Sequence, residues 1–379
     1  MGPRMVLGSF EVPGLGGSST ASFNLFARMQ AEHRDVHYVN LIHGNEGKFR
    51  EIFGPSVGNP QGLSNVTNCW LTGSVDDVHP QIGTLVESIN PSIVVGFGYI
   101  AALLVKRAAP TRPTVLITGT CRQAQDYVSS GRTKDAITLR QTLAHTARPL
   151  RLVNGGERTS MERCDFLIAH STLVLEFVDS FFAPLRGKIY PQVISSSEWI
   201  CDGARAWQQY AREFDRRDID ALFIATDWDR PEKNYRLVES IARRLRGRAI
   251  HVVGDVPRSL RSVSHHGLVA DRSELFELVG RARSVICPSL MDAAPGILFE
   301  GSVLGCNVIA SRNCGNWELC HPELLVDPYD ADGFVECIER GAKRKYKDNL
   351  ESFLALRSYD DLMKTLDAFA RPFESKTQQ

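Results

Sequence analysis

The sequence predicts an α/β protein of two doubly wound domains that face a cleft. Three observations carry that prediction. The chain has 379 residues, long for one core and comfortable for two. Short apolar runs alternate with helix-like segments, the pattern of a parallel sheet covered on both faces. That alternation gives way to a polar, mostly helical stretch over 201–217 and then restarts. The expected organisation is an N-terminal domain over 1–203, a C-terminal domain over 204–358, and a helix with a tail over 359–379 that packs back on the N-terminal domain.

The elements follow from periodicity and punctuation. Residues 5–9 read as the first strand, 14–20 as a glycine-rich loop, 21–32 as a helix and 36–42 as the second strand. Residues 43–67 are polar and glycine-rich with little periodicity, which predicts a long loop. A buried strand at 92–98 runs into glycines, 100–107 is helical, and 114–120 is a further strand. A helix is expected near 133–145, a strand at 165–171, a helix at 173–182, and a strand-like run at 188–197 closes this half. The second series reads strand 221–226, helix 235–245, strand 249–255, helix 272–281, strand 284–289, helix 298–304 and strand 307–311. The last helix is expected at 359–370, followed by a frayed SKTQQ end.

Composition excludes several classes. Hydrophobic residues make up 43% and charged residues 23%, as in ordinary soluble proteins. Lys plus Arg equals Asp plus Glu, 44 each, which argues against a long nucleic-acid groove but leaves room for a local phosphate site. The nine cysteines form no C-x-x-C pair and several sit in apolar runs, so reduced, mostly buried thiols are expected and no metal is required. Asn65 heads an N-x-T triplet, read as chance in a chain with no signal peptide evident. No apolar stretch is long enough to span a bilayer, so a cytoplasmic protein is expected, with peripheral membrane contact and homo-oligomerisation left open.

The densest chemistry lies in 289–318, SLMDAAPGILFEGSVLGCNVIASRNCGNWE. Asp292 precedes a turn of small residues, in which Ala293, Ala294 and Gly296 allow close backbone approach. Pro295, in the same turn, has no amide to offer a ligand. Ile297 and Leu298 are expected to open a helix whose free amides and dipole favour an anion. Glu300 would repel a phosphate there but could accept hydrogen bonds from paired hydroxyls; alternatively it only favours the positive end of a helix. This layout suits phosphates flanked by hydroxyls, as in a nucleotide sugar.

Other candidates have two readings each. Arg230 and Lys233, in the loop TDWDRPEKNY (226–235), could meet one diphosphate or could simply be solvated. Gly254, at the end of a strand, is a ligand-side glycine or a structural one. Gly16 and Gly17 belong to a tight turn or a ligand loop, and G-x-x-x-x-G-K-[ST] is absent, which argues against a P-loop ATPase. His170 ends a strand and is a buried, hydrogen-bonded residue or a cleft residue.

Segment 289–318 resembles the donor-binding motif of the retaining glycosyltransferases of GT-B architecture, family 4-like (glycosyl transferases group 1). That motif has an acid, seven intervening residues and a glutamate, the spacing of Asp292 and Glu300. Pro288 and Ser289 match the end of the family's preceding strand, Gly305 the glycine before its next strand, and Gly315 and Glu318 a later loop and its acid. Asp292 stands where the family more often has glutamate, and the turn glycine comes one residue later, after Pro295. Asn234 stands where glycine often follows the lysine.

The resemblance implies a GT-B fold of two Rossmann-like domains, the N-terminal one binding the acceptor and the C-terminal one the nucleotide sugar. It implies a retaining hexosyltransferase that uses a UDP- or GDP-sugar as co-substrate and a small-molecule or glycan acceptor, with no other cofactor. Lys233 and Arg230 would hold the diphosphate and Asp292 the sugar hydroxyls, as the catalytic set. Glu300 would hold the ribose, and Ala294, Pro295, Gly296, Ile297, Leu298, Gly254 and Glu318 would complete the donor site. Gly16, Gly17 and His170 would lie on the acceptor side. Two alternatives stay open: a sugar phosphorylase or nucleotide-sugar epimerase on a similar fold, and a nucleotide-sugar-binding protein without transfer.

Overall fold

The computed structural model describes residues 3–10, 17–44, 46–59, 61–71, 80–118, 155–181, 188–190, 197–269, 271–355 and 359–374. Contacts between Cα atoms divide the chain into two compact units, the second containing Ile200–Leu356 and the first containing the sheet that precedes it together with Arg357–Gln379. The helix expected near 133–145 and Gly16 lie outside the described residues.

In the first unit the described elements run β1 (Met5–Phe10), α1 (Gly17–Ala31), β2 (Val36–His43), α2 (Glu46–Phe53), β3 (Val66–Leu71), α3 (Pro80–Ile89), β4 (Ile93–Phe97), α4 (Tyr99–Ala108), β5 (Thr114–Thr118), α5 (Gly155–Arg163), β6 (Phe166–Ala169) and α6 (Thr172–Phe181). Helix α7 (Ser197–Arg205) follows them. All six strands pair in parallel, in the order β3-β2-β1-β4-β5-β6. β4 and β5 are buried at every position, as strands covered on both faces must be.

The stretch read as a loop over 43–67 contains a helix and ends in a strand. α2 carries an Arg50–Glu46 pair at i,i+4, 2.8 Å. β3 is an edge strand whose polar Asn68 accepts a 2.8 Å hydrogen bond from buried Asn40 and donates at 3.0 Å to the Val57 carbonyl. Those asparagines satisfy backbone between β2 and β3 but break the apolar alternation that marks a strand. Of the run expected over 188–197, Ile189 makes an isolated bridge to Leu167 and Ser197 already begins α7.

The second unit continues with β7 (Ile219–Asp227), α8 (Tyr235–Arg244), β8 (Ile250–Asp255), β9 (Ser264–His265), α9 (Arg272–Arg281), β10 (Ala282–Cys287), α10 (Gly296–Val303), β11 (Asn307–Ser311), β12 (Leu325–Val326), α11 (Ala331–Lys343) and α12 (Leu350–Ala355). Its strand order, β12-β11-β10-β7-β8-β9, is the first sheet's order read from the other edge. Each sheet therefore reverses direction between its first and fourth strands, β1/β4 and β7/β10, where ligands of open parallel sheets bind.

Arg217 fixes the base of the second sheet. It is 4% exposed and donates to the carbonyls of Ala282 and Leu304, each at 2.6 Å, and of Arg212 at 3.0 Å. α10 carries buried Leu298 and Phe299 and brings Gly301 against Val285 and Val308, so it is apolar on most sides. Helix α13 (Tyr359–Glu374) packs on the first unit, with Phe369 stacked on Phe166 at 3.9 Å and Asp367 paired to Arg34 at 2.9 Å. Among the described residues no helix is long and apolar enough to cross a membrane.

Candidate functional site

The site of interest is at the carboxyl ends of β7 and β10. After β7 the chain turns through a 3-10 helix, Pro231–Lys233, into α8. Asn234 joins the two with a left-handed backbone, φ 63°, the conformation that glycine adopts most easily and asparagine tolerates next. Its side-chain amide donates to the carbonyls of Pro288 at 3.0 Å and Pro328 at 2.9 Å. Asn234 thus meets the backbone demand of its position and also ties the β7 loop to the β10 loop.

Lys233 is delivered directly to Asp292, Nζ to Oδ2 at 2.6 Å, with side chains 21% and 15% exposed. Burial works to discharge the ammonium, but the charge and hydrogen bond of Asp292 and the nearby Cys287 together outweigh it and hold the Lys233 pKa above its ordinary value. The lysine therefore stays charged throughout the neutral range. The Asp292 backbone is locked on both sides: its N–H donates to the Asn313 carbonyl at 3.2 Å and its carbonyl accepts from Gly315 at 2.7 Å. Its Oδ1 accepts from the Ala294 N–H at 3.4 Å.

Pro295 is the N-cap of α10, with Gly296 as the first helical residue. Among the described residues, a Cβ at Gly296 would meet only the Ile200 methyl, at 3.8 Å, so these residues leave the helix head open there. The Leu298 N–H is turned back onto the Pro295 carbonyl at 3.3 Å, while the first-turn amides of Gly296 and Ile297 precede any i−4 partner within the helix. Glu300 is 14% exposed, and its Oε1 accepts from Arg272 Nη2 at 2.9 Å.

Arg230 turns to its own neighbour: both Nε and Nη2 donate to Oε1 of Glu232, a residue only 5% exposed. Glu232 in turn accepts the Leu290 N–H on its carbonyl at 2.8 Å, another tie between the two loops. The backbone at Gly254 demands glycine. Its φ is +116° and a Cβ there would lie 1.6 Å from the Ala225 carbonyl oxygen, inside the sheet. Glu318 sits half-buried in a short 3-10 turn, Trp317–Leu319, and its carbonyl accepts from Asn349 at 3.1 Å.

Behind the site, the Cys314 thiol donates to Cys287 across 3.5 Å. That bond holds Cys287 below the ordinary thiol range and pushes Cys314 up. All eight described cysteines are buried free thiols.

The acceptor-side candidates lie in the first unit. Gly17 begins α1. His170 is 3% exposed, at the end of β6, with its ring edge-on to Phe97 at 4.9 Å. Burial lowers its pKa from 6.5 to about 4, so the imidazole is neutral at pH 7. A depressed histidine contributes stability that is complete above about pH 6.5 and lost as pH falls towards about 4. His170→Gln should therefore flatten the stability-versus-pH curve over that window, by roughly 3 kcal/mol at most. Denaturant unfolding at stepped pH reads this, and identical slopes in both proteins would show a solvated His170.

The structure thus gathers Lys233, Asp292, Arg230 and the head of α10 with Glu300 around the β7/β10 switch point, and puts Gly17 and His170 in the other unit. Sequence reasoning missed Glu232, Arg272 and Asn313. Glu232 had a local signal, an arginine two residues away; Arg272 had none, since 28 residues separate it from Glu300.

No family model matches the sequence, and neither does any curated protein. Solved structures do match its shape. Sucrose-phosphate synthase from Thermosynechococcus elongatus superposes with a TM-score of 0.69 at 14% identity, over 98% of this chain and all (100%) of that one. The fold is GT-B. HepE from Anabaena, in complex with UDP and glucose, has the same GT-B architecture, with a TM-score of 0.62 at 12% identity over 96% of this chain and 100% of its own. UDP-GlcNAc 2-epimerase from Methanocaldococcus jannaschii also matches, at TM-score 0.53 and 12% identity, over 91% of this chain and 94% of its own. Identities this low establish the shared GT-B fold, while function must be argued from the site.

Proposed function

We propose that this protein is a retaining glycosyltransferase that moves a hexosyl group from a UDP- or GDP-sugar to a small-molecule or glycan acceptor. The observation that carries the reading is the Lys233–Asp292 ion pair beside the open head of α10, with Glu300 on the same helix. The arrangement offers a cation and helix amides for a diphosphate, one acid for sugar hydroxyls and another for ribose hydroxyls. The C-terminal domain, 204–358, is the donor side in this reading, and the N-terminal domain, 1–203, the acceptor side.

Donor binding exchanges partners. The diphosphate takes the Lys233 ammonium, and the sugar hydroxyls take Asp292. As the anomeric C–O bond breaks, charge accumulates on the leaving diphosphate, where Lys233, Arg230 and the amides of Gly296 and Ile297 stabilise it. The acceptor hydroxyl attacks from the same face and its proton passes to a leaving phosphate oxygen, which preserves the anomeric configuration. Asp292 acts in recognition, not as a nucleophile. Ala294, Pro295, Leu298, Gly254 and Glu318 shape the walls around the donor.

A second reading, a nucleotide-sugar epimerase, is favoured by the epimerase among the GT-B neighbours. Incubation with UDP-glucose, UDP-GlcNAc and GDP-mannose, with and without an acceptor panel, separates the two. The proposed activity gives a glycosylated acceptor whose anomeric configuration by NMR equals that of the donor. An isomerised nucleotide sugar formed without acceptor supports the epimerase instead.

A further inference from the structure

We infer that Arg272 is a positioning residue for Glu300 and, through it, a determinant of ribose recognition. The inference rests on the donor-site reading given above and goes one residue beyond it.

The geometry begins in the core. Phe276 is fully buried in α9 and stacks on Trp207 at 5.9 Å, so its ring is fixed. Arg272, one turn earlier, lays its guanidinium over that ring, 4.5 Å from the centroid. Arg272 is the first residue of α9, whose start is itself fastened: Asp271 accepts from the Ser273 N–H at 2.8 Å and from its hydroxyl at 2.7 Å. The guanidinium is thus held by its backbone and by an aromatic face before it reaches Glu300 at 2.9 Å.

An ionised carboxylate has two oxygens and about four acceptor positions. Arg272 occupies one, on Oε1, and among the described residues Oε2 has no hydrogen-bond partner, which leaves it for a ligand. A glutamate side chain has three rotatable torsions, and unheld it would present that oxygen in many directions. Planar Arg, stacked on Phe276, restricts the carboxylate to the orientation set by the guanidinium plane, a task for which a lysine point charge is less suited. The bland alternative is a half-exposed ion pair contributing a little stability. That alternative predicts no effect on which sugar the site recognises.

The test compares UDP and GDP with their 2′,3′-dideoxy forms, titrated calorimetrically into wild type, Arg272→Ala, Arg272→Gln, Arg272→Lys and Glu300→Ala, with thermal unfolding of each as a fold control. Wild type should bind a ribonucleotide about tenfold or more tightly than its dideoxy form, as expected for hydrogen bonds to a charged group. Glu300→Ala should erase that preference. Arg272→Ala and Arg272→Gln should reduce it to within about threefold, and Arg272→Lys should recover part of it. Should Arg272→Ala or Arg272→Gln keep the wild-type ratio while Glu300→Ala loses it, Arg272 is only a surface pair and the donor-site reading stands. A wild-type ratio in Glu300→Ala, or no binding of either nucleotide by folded wild type, removes the ribose assignment and this inference with it.

Discussion

Lys233→Ala is expected to lower kcat/KM for the nucleotide sugar roughly 100- to 1000-fold, the loss typical of one charge-stabilising group at a reacting centre. Two effects combine. The diphosphate loses the cation at the β7 loop, and Asp292 loses the partner that holds it at 2.6 Å. With 15% exposure, an unpaired Asp292 also costs the fold about 1–3 kcal/mol. Asp292→Asn keeps the shape and an oxygen that can accept from Lys233, so it should be less destabilising while still weakening sugar recognition. Because the two side chains share one bond, the double variant should fall well short of the summed single losses. Steady-state kinetics at limiting donor, with thermal melts of the same proteins, reads both quantities; additive losses would mean that the pair does not act as a unit.

Gly254→Ala is expected to have the largest effect on folding of any single change at the site. The new methyl would sit 1.6 Å from the Ala225 carbonyl oxygen, and the residue would keep a φ of +116° that alanine adopts only under strain. Backbone on β7 cannot yield without disturbing its pairing with β8, and on the other side the Gly254 N–H is tied to the Gly267 carbonyl, just beyond β9, at 2.7 Å. A loss of about 3 kcal/mol or more is expected, seen as a lower Tm or as insoluble protein. Since β7 leads into the Lys233 turn, a folded residue of this variant should also bind nucleotide poorly. An unchanged melting temperature would mean that the β8 end relaxes freely.

Legibility in the sequence followed locality. Strands buried on both faces, such as β4 and β10, were visible as apolar runs bounded by glycine or proline. The Asp292 and Glu300 spacing was visible because one turn and one helix fix it. β9 and β12, two residues each, are too short to carry a period. β3 was hidden by Asn68, and α2 by its polar, glycine-rich surroundings. At the site, the meeting of Lys233 with Asp292 depends on the parallel pairing of β7 and β10 across 59 residues. The clamp by Asn234 and the Arg272–Glu300 pair are equally non-local. Gly254 shows the opposite limit: one letter allowed a ligand-side and a structural reading, and the steric demand behind the structural one depends on the Ala225 carbonyl, 29 positions away.

The central claim is tested most directly by calorimetric titration of UDP-, GDP-, ADP- and dTDP-sugars into the wild-type protein and Lys233→Ala. The account predicts selective binding of a UDP- or GDP-sugar at a single site, lost in the variant. Equal affinity in both folded proteins, or no binding of any donor by wild type, would contradict it.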